Sequence, residues 1–151
     1  MDESLPPEFW QGINEFNQGE FYACHDTLEA IWIPSVGPEK QLYQGIIQIA
    51  VAIYHLSNQN WRGTVILMGE GLNRLRHYPD EFAELDIGQF REEIAELLEI
   101  LQNLGAERIA DFRWASTADT ITNQHQTNDD NGQKVMRPRP IIQKAIPSLE
   151  N

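Results

Sequence analysis

Residues 41–60 read QLYQGIIQIAVAIYHLSNQN, and the reading of this stretch decides the fold. It is too long for one strand and too apolar for a surface helix. Ile46, Ile47, Ile49, Val51, Ile53, Tyr54 and Leu56 point in every direction round a helical wheel. The expectation is a central helix with no face left for solvent. Yet the same rod carries Gln44, Gln48 and His55. At 3.6 residues per turn Gln48 lies roughly 40° and His55 roughly 20° round from Gln44, which makes one narrow polar stripe. Each buried polar group left without a partner costs roughly 1–3 kcal/mol, so a buried stripe needs either neighbours or a ligand.

On the amino-terminal side, Pro38 sits at the first turn of this central helix and Glu39 suits its dipole. Before it, Pro34 and Gly37 stop a second helix built on Phe21, Leu28, Ile31 and Trp32. Gly19 separates that helix from a first one, which starts at Glu8 behind Pro6 and Pro7 and repeats Phe9, Trp10, Ile13 and Phe16 at helical spacing. On the carboxy-terminal side, the central helix ends near Ser57 and Asn60 is placed to cap a fourth helix through Trp61, Met68, Leu72 and Leu75. Gly63, Gly69 and Gly71 weaken that helix and point to close approach by a neighbour. Residues 78–88 read as a loop, and residues 89–104 as a fifth helix with Phe90, Ile94, Leu97, Leu98 and Leu101 on one face.

The chain is 151 residues long, enough for one buried core. The expected architecture is all-α: an irregular bundle of about five main helices around the central one, spanning residues 1–114, with a largely irregular tail over residues 115–151. Residues 115–133 are rich in Thr, Asn, Gln and Asp and read as a linker. The end carries Pro138, Pro140 and Pro147, so it forms no regular helix. Val135, Ile141, Ile142, Ile146 and Leu149 give it the means to dock as an extended segment, although such tails are more often loosely held.

With 11 Lys+Arg against 23 Asp+Glu the formal charge is -12, which repels nucleic-acid backbones and anionic membrane surfaces. No stretch offers about 20 uninterrupted apolar residues for a membrane span. The single cysteine, Cys24, forms no intrachain disulfide and suits the reducing cytoplasm. It reads as a small buried residue, not as a nucleophile.

Function rests on a polar constellation. His25 and Glu29 stand four residues apart and share one face of the second helix, with Trp32 a turn further on. The short connection to the central helix favours antiparallel packing, which lets His25 and Glu29 face the Gln44, Gln48 and His55 stripe. Three readings follow. The groups satisfy one another as a network that fixes helix register. Alternatively they line a small-molecule pocket. Or His25, Glu29 and His55 hold zinc or iron, two imidazoles and one carboxylate being a ligand set for catalytic metals.

The run FNQGEFYACHDTLEAIW, followed by GPEKQLYQGIIQIAVAIYHLSNQNWRGTVILMGEGLNRLRHYP, resembles the bacterial domain-of-unknown-function 309 family. That family's pattern has phenylalanine, asparagine and glycine, then His-Glu, a Glu before a Trp, Gln-Gly, a second Gln, a His and Gly-Asn. The resemblance covers residues 16–79 and extends more weakly to Leu101. Carried over position by position, it marks His25, Glu29, Trp32, Gln44, Gln48, His55 and Asn60 as candidate pocket residues. Two positions depart from the pattern: His-Glu is His25-Asp26 here, and Gly-Asn is Gln59-Asn60. The resemblance implies an all-α bundle and no established activity. A runner-up reading is a scaffold for a peptide or partner protein, since Gly19 and Ala23 look like the start of a tetratricopeptide unit; its 34-residue period is not sustained.

Overall fold

The computed structural model describes residues 5–115 and 134–146. Five helices dominate: α1 (Pro7–Asn17), α2 (Phe21–Trp32), α3 (Lys40–Ser57), α4 (Trp61–Leu75) and α5 (Ile87–Leu104). A short 3-10 helix, Ala106–Asp111, follows α5. Strand content is small: β1 (Glu81–Phe82) pairs antiparallel with β2 (Leu85–Asp86), and β3 (Phe112–Trp114) pairs in parallel with β4 (Val135–Arg137). The all-α bundle expected from the sequence is the observed class.

The helix ends follow local chemistry. Pro7 occupies the first turn of α1, where its missing N–H has no intrahelical partner to lose. Asn60 caps α4 as expected, its side chain accepting the Gly63 N–H at 3.0 Å. The fifth helix begins two residues earlier than expected, because Asp86 caps it by accepting the Gln89 N–H at 3.0 Å.

The central helix is the most buried. Nine of the 18 residues of α3 are buried, against six of the 18 in α5. It packs antiparallel to both neighbours. Tyr22 at the start of α2 meets Tyr54 near the end of α3, with ring centroids 5.3 Å apart, and Thr64 near the start of α4 donates to the Ala52 carbonyl at 3.0 Å. The α3 and α4 backbones touch: a Cβ on Gly71 would stand 2.8 Å from the Gly45 carbonyl oxygen and 2.7 Å from Ile49 Cγ1. The close backbone approach expected of the α4 glycines therefore belongs to Gly71, while Gly63 is met by side chains, a Cβ there standing 3.1 Å from the His55 ring. Gly69 meets nothing nearer than Leu98 at 4.0 Å. Phe16 ties α1 to the rest, edge-on to Phe21 at 5.1 Å and to Phe90 of α5 at 5.4 Å.

Two features differ from the sequence reading. Residues 78–88 are not simply a loop: β1 and β2 form a tight hairpin whose turn residues Ala83 (φ 56) and Glu84 (φ 65) are both left-handed. Neither is the glycine or asparagine that announces such a turn, so no local signal marks it. The second concerns the end of the chain. Residues 134–146 take the extended, docked form and not the loosely held one. Val135 and Ile142 are each 2 % exposed. Main-chain bonds run from Asp86 N–H to the Gln143 carbonyl at 2.8 Å and from Ala145 N–H to the Glu84 carbonyl at 2.9 Å. Arg137 reaches Glu96 at 2.8 Å, and Lys144 lies over the Trp10 ring. Burial of two apolar side chains and pairing of the hairpin edge offset the ordering entropy of this strap. Among the described residues no helix is long and apolar enough to cross a membrane.

Candidate functional site

The polar stripe of α3 faces α4 and not α2. Gln48 donates from Nε2 to Glu70 Oε1 at 3.1 Å and accepts from Arg74 Nε at 2.9 Å, while Arg74 also reaches Gln41 Oε1. Gln44 and His55 are half-buried in the same stripe, and the His55 ring lies against Gly63 of α4. The stripe runs along the outer edge of the α3–α4 seam, where side chains of α4 and solvent serve its polar groups. The central helix thus does keep a solvent-facing side, with Gln41, Tyr54 and Ser57 exposed. Its apolar residues outnumber the directions the core needs, and Tyr54 is left outside.

The α2 residues gather separately. His25 Nδ1 stands 3.2 Å from Asp26 Oδ1, and His25 Nε2 stands 3.7 Å from Glu29 Oε2. One donor atom from each of His25, Asp26 and Glu29 lies within 4.8 Å of the others, the geometry of a group able to hold a metal ion. His25 Nδ1 is buried and makes no aligned hydrogen bond. Helical spacing explains the triple: Glu29 is one turn beyond His25, and Asp26 is its neighbour in sequence. Asp26 is therefore the neighbour of His25 that the sequence reading did not include in the group. The pattern had marked position 26 through its usual Glu, and the shorter Asp still reaches the imidazole.

The remaining marked residues have structural occupations. Asn60 spends its side-chain oxygen on the α4 cap. Trp32 ends α2, with Lys40 Nζ 5.0 Å from its ring centroid and 2.8 Å from its carbonyl, while its buried indole Nε1 has no partner. Burial, with a smaller contribution from the Glu15 carboxylate, pushes the Cys24 thiol up to about 12, which leaves it protonated and unreactive. Further along the same face of α2, Tyr22 packs beside His25 at 5.8 Å and opens onto a cleft that also includes Tyr54, Trp114 and Arg139.

Residues 9–67 match the family described as Domain of unknown function (DUF309). Over that span the chain is similar to this family. The matched span holds α1 to α3 and half of α4, and with them all seven marked residues. Over 90 residues the chain is 31% identical to the uncharacterized protein YpuF of Bacillus subtilis (strain 168), covering 58% of this chain and 52% of YpuF. Over 84 residues it is 29% identical to an uncharacterized protein of Aquifex aeolicus (strain VF5), covering 55% of this chain and 25% of that protein. The chain thus spans about half of one curated relative and a quarter of the other. The strap lies outside the DUF309 match, yet it rests on two residues within the matched span, Asn17 and Gly19.

Proposed function

We propose that this chain binds a divalent transition metal, zinc or ferrous iron, through His25, Asp26 and Glu29, within a reducing cytoplasm. The observation that carries the reading is the convergence of one imidazole and two carboxylates from adjacent turns of one helix, with a buried imidazole nitrogen left without a hydrogen bond. Imidazole suits zinc and iron, while the carboxylates add charge that compensates the ion. Three protein ligands leave coordination positions for water or a substrate, unlike the closed shell of a structural zinc. His55, turned toward α4, stands outside this group.

The test is elemental analysis of protein purified without chelator, followed by titration of the apo protein with zinc and ferrous iron. The expected result is near-stoichiometric metal that is lost in His25→Ala and in Glu29→Ala and retained in His55→Ala. A folded wild type that neither retains nor takes up metal overturns the proposal, and then His25 simply pairs with its two carboxylates.

A further inference from the structure

We infer a second site on this chain: the cleft between the first turn of α2 and the last turn of α3 binds a small aromatic monocarboxylate. Arg139 takes the carboxylate, and Tyr22, Tyr54 and Trp114 form the walls for the ring. This inference does not rest on the metal reading, because none of its residues is a proposed metal ligand.

The cleft has a volume of about 530 Å³, within the roughly 300–1,000 Å³ of small-molecule sites. Its walls are unusual for a surface. Tyr22 is 58% and Tyr54 40% exposed, and their rings meet at 5.3 Å with a 42° tilt, which leaves part of each ring facing the cleft. Trp114 arrives on β3, held edge-on to Phe112 at 5.0 Å, and Ile53 adds an apolar side chain to the lining. Three aromatic rings left at the edge of one hollow offer a planar apolar ligand stacking and burial that the protein itself leaves unused.

Arg139 supplies the charge. It belongs to the strap, whose position Asn17 fixes three residues on by pairing with Ile142, and its guanidinium lies directly on Gly19. A Cβ at Gly19 would fall 2.0 Å from Arg139 Nη1, so any side chain there would displace the guanidinium. Among the described residues Arg139 has no carboxylate partner, although acids outnumber bases 23 to 11 in this chain. A guanidinium with no carboxylate partner among the described residues, at the mouth of an aromatic cleft, matches a carboxylate, which it binds through paired N–H donors. The charge of the ligand is limited from the other side. Glu20 lies on the lip of the cleft and the chain as a whole is strongly acidic, so polyanions are repelled and a single negative charge is selected.

The experiment uses the full chain and three probes, followed by amide and indole N–H resonances in NMR titrations: naphthoate, its neutral analogue naphthalenemethanol, and inorganic phosphate. Naphthoate is expected to shift Tyr22, Ala23 and the Trp114 indole saturably, and naphthalenemethanol to bind there roughly tenfold more weakly. Arg139→Gln is expected to weaken naphthoate by a similar factor without changing naphthalenemethanol. Arg139→Lys should restore part of the loss, and unchanged resonances elsewhere establish that the variants fold. His25→Ala should retain naphthoate binding whatever happens to metal. Scattered or non-saturating shifts, or full naphthoate affinity in Arg139→Gln, would overturn the inference. Phosphate binding as strongly as naphthoate would overturn its aromatic part.

Discussion

Asn17 grips Ile142 by both of its main-chain groups, 125 residues further along the chain: Asn17 Nδ2 donates to the Ile142 carbonyl at 2.9 Å, and the Ile142 N–H donates to Asn17 Oδ1 at 2.8 Å. An asparagine side chain here does the work of a neighbouring strand, and it connects the end of α1 to the strap. Asn17→Ala removes both bonds and leaves two part-buried backbone groups unpaired. The expected loss is about 1–3 kcal/mol. Urea unfolding measures it, and faster amide exchange at Ile142 and Ala145 than in the helices would show that the strap loosens first.

Removing residues 134–151 should lower stability more than Asn17→Ala, because it also exposes the core against which Val135 and Ile142 are packed. Burial of two such side chains contributes about 1.5–3 kcal/mol each. A truncated chain with an unchanged urea midpoint would show that the strap only decorates the bundle.

Two glycines of α4 should respond in opposite directions. Gly71→Ala forces a methyl group against the Gly45 carbonyl and Ile49, and should destabilise by about 1–3 kcal/mol as α3 and α4 separate. Gly69→Ala makes only an ordinary contact with Leu98 at 4.0 Å and should stabilise by up to about 1 kcal/mol through helix propensity. Thermal melts of the two single variants decide it; equal effects would contradict the seam described here.

Gln59 closes α3 with φ 59, a left-handed conformation that is strained for a residue with a Cβ. It is also a position where the DUF309 pattern has glycine. Gln59→Gly should stabilise the protein by up to about 1 kcal/mol, the relief of the strain exceeding the added freedom of the unfolded chain. A lower melting temperature would show that the Gln59 side chain holds something in place.

Glu93 accepts the Ile141 N–H at 3.2 Å, yet burial outweighs that bond and the nearby Arg137 and raises its pKa above the ordinary value of 4.5. A carboxyl with a raised folded pKa favours the native state below its unfolded pKa and loses that contribution as pH rises through its folded value. Glu93→Gln should therefore be more stable than wild type at neutral pH, and the difference should vanish in acid, where wild type is also neutral. Urea midpoints measured from acid to neutral pH test both the sign and the window.

Much of the fold was legible in residue order. Helix periodicity, the proline at the start of α1, the Asn60 cap and the dense apolar run of α3 are local, and each acts within one or two turns. For the same reason the nearness of His25 and Glu29 was legible from spacing on a single helix, while the sequence reading groups His55 with them instead of Asp26. The facing of the α3 stripe was not legible, because a narrow band of Gln44, Gln48 and His55 is equally compatible with either neighbour. Only the seam at Gly45 and Gly71 turns it toward α4. The hairpin was hidden because Ala83 and Glu84 adopt left-handed turns without the residues that favour them, within a turn that also pairs with the strap. The strap itself needs Asn17 and Ile142 together. Sequence by itself determines the helices and the donors each one carries; tertiary packing alone decides which donors meet, because contacts between distant residues depend on the rotation and closeness of elements that no local pattern encodes.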